Sequence, residues 1–93
     1  MSKPQFNELI HAPKRLRICA FLAAVKEVEF KVLAEALILK DSDLSKQIKL
    51  LEQSGYVNSR KVIVNTRQKT WLAFSDEGRE TFNAHVKALR EIL

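Results

Sequence analysis

Cys19, His11 and His85 are the thiol and imidazole groups of this chain, and the first to consider for chemistry. A structural zinc site takes four such ligands at close spacing, and these three show no such spacing. Cys19 lies in an apolar run, "RLRICAFLAAV", where a thiol usually acts as a small hydrophobe. Glu27 with Glu29, and Asp76 with Glu77, are carboxylate pairs. The first reads as the solvent side of a short strand and the second as helix-start charge. No glycine-rich phosphate loop, nucleophile motif or zinc-hydrolase motif is present. The expectation is therefore no enzyme, no metal and no cofactor, with intersubunit metal sensing as a weaker competitor.

The cations are better placed for chemistry. From Lys40 to Thr70 there are seven basic and three acidic residues, and the rest of the chain has nine and eight. Most of the net charge of +5 thus sits in a third of the chain, the footprint of a polyanion-binding surface. Within "SDLSKQIKLLEQSGYV", about 100° per residue puts Leu44, Ile48 and Leu51 on one side of a helix. Ser42, Lys46, Lys49 and Gln53 fall on the other, with Ser45 at the margin. Lysine reaches phosphates or guanine, glutamine reads adenine, and serine serves either. Asp43 opposes a polyanion locally, although a carboxylate can accept from cytosine. Arg60 and Lys61 precede "NTRQK", whose Arg67 and Lys69 would form a cationic loop tip.

These residues need elements to hold them. "QFNELIHA" suits a short helix, and Pro13 suits the first turn of the next. Val28 and Phe30 alternate with Glu27 and Glu29 as a short extended segment. "KVLAEALIL" returns to a helical period. Asp41 or Ser42 can cap the helix that follows, and Gly55 can stop it. "YVNSRKVIV" and "TWLAF" read as two strands of a hairpin around a polar loop, with Asn65 the candidate for positive φ. Ser75 is a candidate N-cap for the last helix, along which Phe82, Val86, Leu89 and Leu93 form an apolar stripe.

Two short helices followed by a hairpin form a winged helix-turn-helix, mainly α with a small β-hairpin. One domain over 1–93 is expected, with N-terminal helices at 6–25, the helix-turn-helix at 31–54, the wing at 56–75 and a dimerisation helix at 76–93. A helix fits the major groove, and a basic hairpin reaches the flanking backbone or minor groove. Double-stranded DNA is the expected partner. Phe6, Leu9 and Ile10 could join the C-terminal stripe in a homodimer interface. The alternative is a winged helix for protein–protein contact in a larger assembly, in which case Trp71 should offer exposed aromatic area. The single cysteine and the absence of a long apolar run give a cytoplasmic expectation, with no membrane.

The chain resembles small winged-helix transcriptional regulators related to the MarR and ArsR groups. The resemblance rests on "HAPKRLRICAFL", "VEFKVLAEAL", "DLSKQIKLLEQSGYV", "TRQKTW" and "FSDEGRE". It implies a DNA-reading role for Ser42, Ser45, Lys46 and Lys49, a wing role for Arg67 and Lys69, and homodimers built from terminal helices. An unidentified small-molecule effector would bind between those helices or beside the winged fold. Two positions depart from the pattern. Ile38 replaces a glycine in the turn, so the turn is expected to be built differently, because isoleucine resists the left-handed conformation. The wing lacks its usual proline or glycine and is expected to be more mobile.

Overall fold

In the computed structural model, which describes residues 3–93, Asn7 starts α1 (Glu8–His11) by accepting from the Ile10 N–H. Pro13 opens α2 (Pro13–Ala23), where its missing N–H has no intrahelical partner to lose. β1 (Val28–Glu29) is shorter than the alternation implies, because Phe30 is already the first residue of α3 (Phe30–Leu37). α4 (Asp41–Gln53) follows, then β2 (Val57–Val64), β3 (Arg67–Phe74) and α5 (Asp76–Ile92).

β1 pairs antiparallel with β3, Val28 opposite Leu72 and Glu29 opposite Trp71. The hairpin is thus part of a three-stranded sheet in the order β1-β3-β2. The wing turn also differs from expectation. Asn65 and Thr66 alone connect the strands, at φ 50 and 64. Two central residues at positive φ make a type I′ turn, whose twist matches the strands on either side. Asn65 takes the positive φ that the sequence suggests. Arg67 and Lys69 stand on β3 instead of in a loop.

α3 and α4 end in the same way. After α4, Gly55 sits at φ 78 while the Tyr56 N–H donates to Leu51 O at 3.0 Å and the Gly55 N–H to Glu52 O at 2.9 Å. After α3, the Leu39 N–H donates to Ala34 O at 2.9 Å and the Ile38 N–H to Glu35 O at 3.2 Å. This is a Schellman ending at both places. Ile38 adopts φ 55 and ψ 49, so the turn is built as a glycine would build it, contrary to the expectation. Arg17 adds a guanidinium on Leu37 O at 2.6 Å, meeting a carbonyl at the negative end of α3. At the start of α4 neither Asp41 nor Ser42 caps. Lys40 holds that position without a side-chain bond, and Asp41 and Asp43 complement the dipole from the first turn.

The core gathers Ile18, Cys19 and Leu22 of α2, Leu33 of α3, Leu44, Ile48 and Leu51 of α4, Val57, Leu72 and Phe74 of the sheet, and Phe82 of α5. Leu44 and Leu51 are wholly buried, and each such side chain contributes about 2 kcal/mol by leaving water. That burial fixes the rotation of α4 and turns its opposite face outward. α5 is locked to the base of the wing at Gly78. Ser75 Oγ donates to Gly55 O and accepts from the Gly78 N–H, and the Ser75 N–H donates to Tyr56 O. Arg79 donates to Ala23 O at 2.9 Å and Val25 O at 3.3 Å, tying α5 to the end of α2.

Candidate nucleic-acid interface

α4 presents Ser42, Ser45, Lys46, Lys49 and Gln53 to solvent, as its periodicity predicts. Lys46 and Lys49 make no ion pair among the described residues. Asp43, from the same helix, has a different task. Its carboxylate pairs with Lys14 of α2 and accepts from Gln47 Nε2 at 3.1 Å. Gln47 Oε1 in turn accepts from Arg15 at 2.7 Å, and Arg15 Nε donates to Leu9 O at 2.7 Å. This chain of bonds straps α4 to α2. The Lys14 ammonium, then the Gln47 amide, hold the Asp43 carboxyl below its ordinary range. Asp43 is thus already engaged as a strut between α4 and α2.

Strand parity divides the wing. Val57, Ser59, Lys61 and Ile63 share one face of β2, and Asn58, Arg60, Val62 and Val64 share the other. Across the ladder Ser59 faces Leu72, Lys61 faces Thr70, and Ile63 faces Gln68. The first face looks toward α4. Between them runs a groove of about 600 Å³ whose lining includes Ser45, Lys49, Glu52 and Gln53 from the helix and Ser59, Lys61, Gln68 and Thr70 from the wing, with Ser59 Oγ donating to Glu52 at 3.0 Å. Glu52, Ser59, Gln68 and Thr70 are polar groove residues outside the sequence-predicted set. Alternation with Lys61 marks Ser59, but Gln68 and Thr70 require the cross-strand register.

The other face carries Arg60, Arg67 and Lys69. Arg60 binds Glu27 through two hydrogen bonds, at 2.8 and 3.2 Å, which raises its already high pKa. Its guanidinium also lies 5.8 Å from the Trp71 ring centroid, a cation–π distance. Lys69 Nζ is 4.0 Å from Glu29. Two of the four wing cations named from sequence are therefore faced by carboxylates, and Lys61 and Arg67 are exposed without an ion pair among the described residues. Trp71 is half-buried, with Arg60 over its ring.

Among the expected interface residues at the termini, Ile10 and Phe82 are buried in the chain's own core. Leu9 and Val86 pack partly against that core, and Leu89 is half-buried. Phe6 is 39% exposed and Leu93 fully exposed, beside Ile92 at 71%. His11 and His85, 74 residues apart in sequence, meet with Nδ1 of His11 3.2 Å from Nε2 of His85. The Asn7 N–H donates to His85 Nδ1, which places the His85 proton on Nε2. Burial, then the neighbouring His11, lowers the His85 pKa. Phe6 packs 4.7 Å from both rings. Among the described residues no three His, Cys, Asp or Glu side chains are grouped to hold a metal ion, and no helix is long and apolar enough to cross a membrane.

Residues 14–93 match the family described as winged helix DNA-binding domain. An uncharacterized protein of Methanocaldococcus jannaschii is 30% identical over 87 residues, which cover 94% of this chain and 90% of that one. Of solved structures, the transcriptional regulator homologue from Pyrococcus horikoshii OT3 is similar at TM-score 0.87 and 28% identity, over 92% of this chain and 85% of that one. The YusO protein from Bacillus subtilis shares the fold at TM-score 0.80 and 21% identity, over 91% of this chain and 60% of its own length. The helix-turn-helix, the basic groove and these likenesses agree: the chain belongs to the winged helix DNA-binding domain family.

Proposed function

We propose that the protein is a sequence-specific, homodimeric transcriptional regulator that places α4 in the major groove and the wing on the flanking backbone or minor groove. The outward face of α4 carries this reading. Ser42, Ser45, Lys46, Lys49 and Gln53 are exposed together, the two lysines lack ion pairs among the described residues, and the adjoining groove adds Lys61. Those two lysines contrast with Lys14, Arg60 and Lys69 on the flanks, each of which meets a carboxylate. Arg67 serves the wing as a phosphate contact. Arg60 and Lys69 contribute to its outer field, partly neutralised by Glu27 and Glu29.

Dimerisation engages Phe6, Leu9, Val86, Leu89 and Leu93, with Ile10 and Phe82 supporting that surface from beneath. Two copies would set their recognition helices about 34 Å apart and read a near-palindromic site. An effector, where one acts, binds between the terminal helices or beside the winged fold.

The test is duplex binding across a salt series. Lys46→Ala combined with Lys49→Ala should weaken specific binding by about 5- to 150-fold, roughly the 1–3 kcal/mol of a lost base contact. Arg67→Ala should weaken all sequences alike and reduce the salt slope by about one. Absence of binding to any duplex at low salt would refute the proposal. A monomeric mass at micromolar concentration would refute the dimer.

A further inference from the structure

The inner face of the wing changes character along its length. Val57 is buried in the core, Ser59 and Lys61 line the groove opposite α4, and Ile63 extends the same line toward the turn at Asn65 and Thr66. Ile63 is 75% exposed, and its cross-strand partner Gln68 lines the groove. A large aliphatic side chain therefore stands in water on the side of the wing that faces the recognition helix. Its surroundings narrow the choice of occupant. Lys61 on the same strand face and Lys49 across the groove are exposed cations, set against one carboxylate of the lining, Glu52, which accepts from Ser59 Oγ at 3.0 Å. An occupant must present apolar surface bordered by negative charge. The minor groove of a DNA duplex has that character, with deoxyribose C–H groups on its walls and phosphates along its rims. Apolar side chains are known to enter the minor groove and insert at its base steps.

We infer that Ile63 is a non-ionic DNA contact that seats the wing tip against the sugar walls of the minor groove, while Lys61 meets a phosphate at the rim. This rests on the DNA-binding reading above. It gives the wing a contribution to affinity that salt does not screen, since counterion release follows only the cationic contacts. The adjacent Val64, 42% exposed, points to the opposite face and has no such role.

The experiment measures binding of the full chain to a mixed-sequence duplex across a salt series for wild type, Ile63→Thr, Val64→Thr and Lys61→Ala. Threonine retains the β-branch that suits a strand, and circular dichroism with thermal melting confirms that each variant folds. Ile63→Thr should lower affinity about tenfold at every salt concentration with an unchanged slope, the effect of roughly two methylene groups no longer buried. Lys61→Ala should reduce the slope by about one, and Val64→Thr should leave affinity and slope unchanged. Wild-type affinity for Ile63→Thr overturns the inference, as does an equal loss for Val64→Thr. An Ile63→Thr variant whose mass in the absence of DNA drops below the wild-type value shows that a second copy covers Ile63 instead. Failure of the wild type to bind duplex at low salt defeats the DNA-binding reading itself, a result distinct from the others.

Discussion

Replacing Ile38 by glycine should stabilise the protein. Ile38 closes α3 at φ 55 and ψ 49, a conformation that costs an L-residue roughly 1–2 kcal/mol, toward the upper end when the side chain is β-branched. The side chain recovers little of this, since it is 91% exposed. Full burial of an isoleucine is worth about 1.5–3 kcal/mol, so the covered remainder amounts to about 0.2 kcal/mol. Glycine adds about 0.5–1 kcal/mol of unfolded-state entropy to be lost on folding. The balance favours Ile38→Gly by about 0.5–1 kcal/mol, which for a domain of this size raises Tm by about 2–8 °C. Ile38→Asn should gain part of this, because asparagine tolerates the left-handed region, and Ile38→Ala should change stability least. Urea and thermal unfolding measure the series, with an unchanged m-value confirming that the denatured state is comparable. The hydrogen bonds from Leu39 and Ile38 to Ala34 and Glu35 are backbone bonds and persist in every variant. A lower urea midpoint for Ile38→Gly than for wild type would refute the reasoning.

Three other perturbations address the framework. Gly78→Ala would place a Cβ 2.0 Å from Tyr56 O, so despite the better helix propensity of alanine it should cost about 1–3 kcal/mol or more in a urea titration. Asp43 has a lowered carboxyl pKa, so its stabilising contribution is present above the ordinary carboxylate range and fades as pH falls through the folded value. Asp43→Asn should thus be less stable than wild type at neutral pH, and the gap should narrow on acidification; a gap independent of pH contradicts the strut. Burial pushes the Cys19 thiol up to about 12, so a maleimide at neutral pH should label it slowly in the folded protein and rapidly after unfolding. Labelling of the native protein at the rate of a free thiol would contradict that burial.

The local grammar of the chain was legible wherever short-range physics decides. Pro13 at a first turn, Ser75 as a cap, Gly55 as a stop and Asn65 at positive φ are each set by what one residue's backbone or side chain can do. The inward set on α4 was equally legible, because burying Leu44, Ile48 and Leu51 admits one rotation of the helix. The wing was harder to read. Thr66 at positive φ was unforeseen, and with it the two-residue turn that moves Arg67 and Lys69 from a loop onto a strand. The turn after α3 went the opposite way: local preference argues against a left-handed Ile38, yet the tertiary packing of α3 and α4 imposes it.

The sequence by itself determined the order of elements, the apolar face of each helix and the concentration of cations that marks a nucleic-acid surface, because these depend on periodicity and on charge count. Only the tertiary structure decided what each charge does. Asp43 meets Lys14, Arg60 meets Glu27, and His11 meets His85 across 29, 33 and 74 residues. The same folding set the wing register that turns Lys61, Gln68 and Thr70 toward α4 and Arg60 away from it. An ionic or hydrogen-bonded contact acts over a few ångströms between groups that can lie anywhere along the chain, so it comes into being only when packing brings them together.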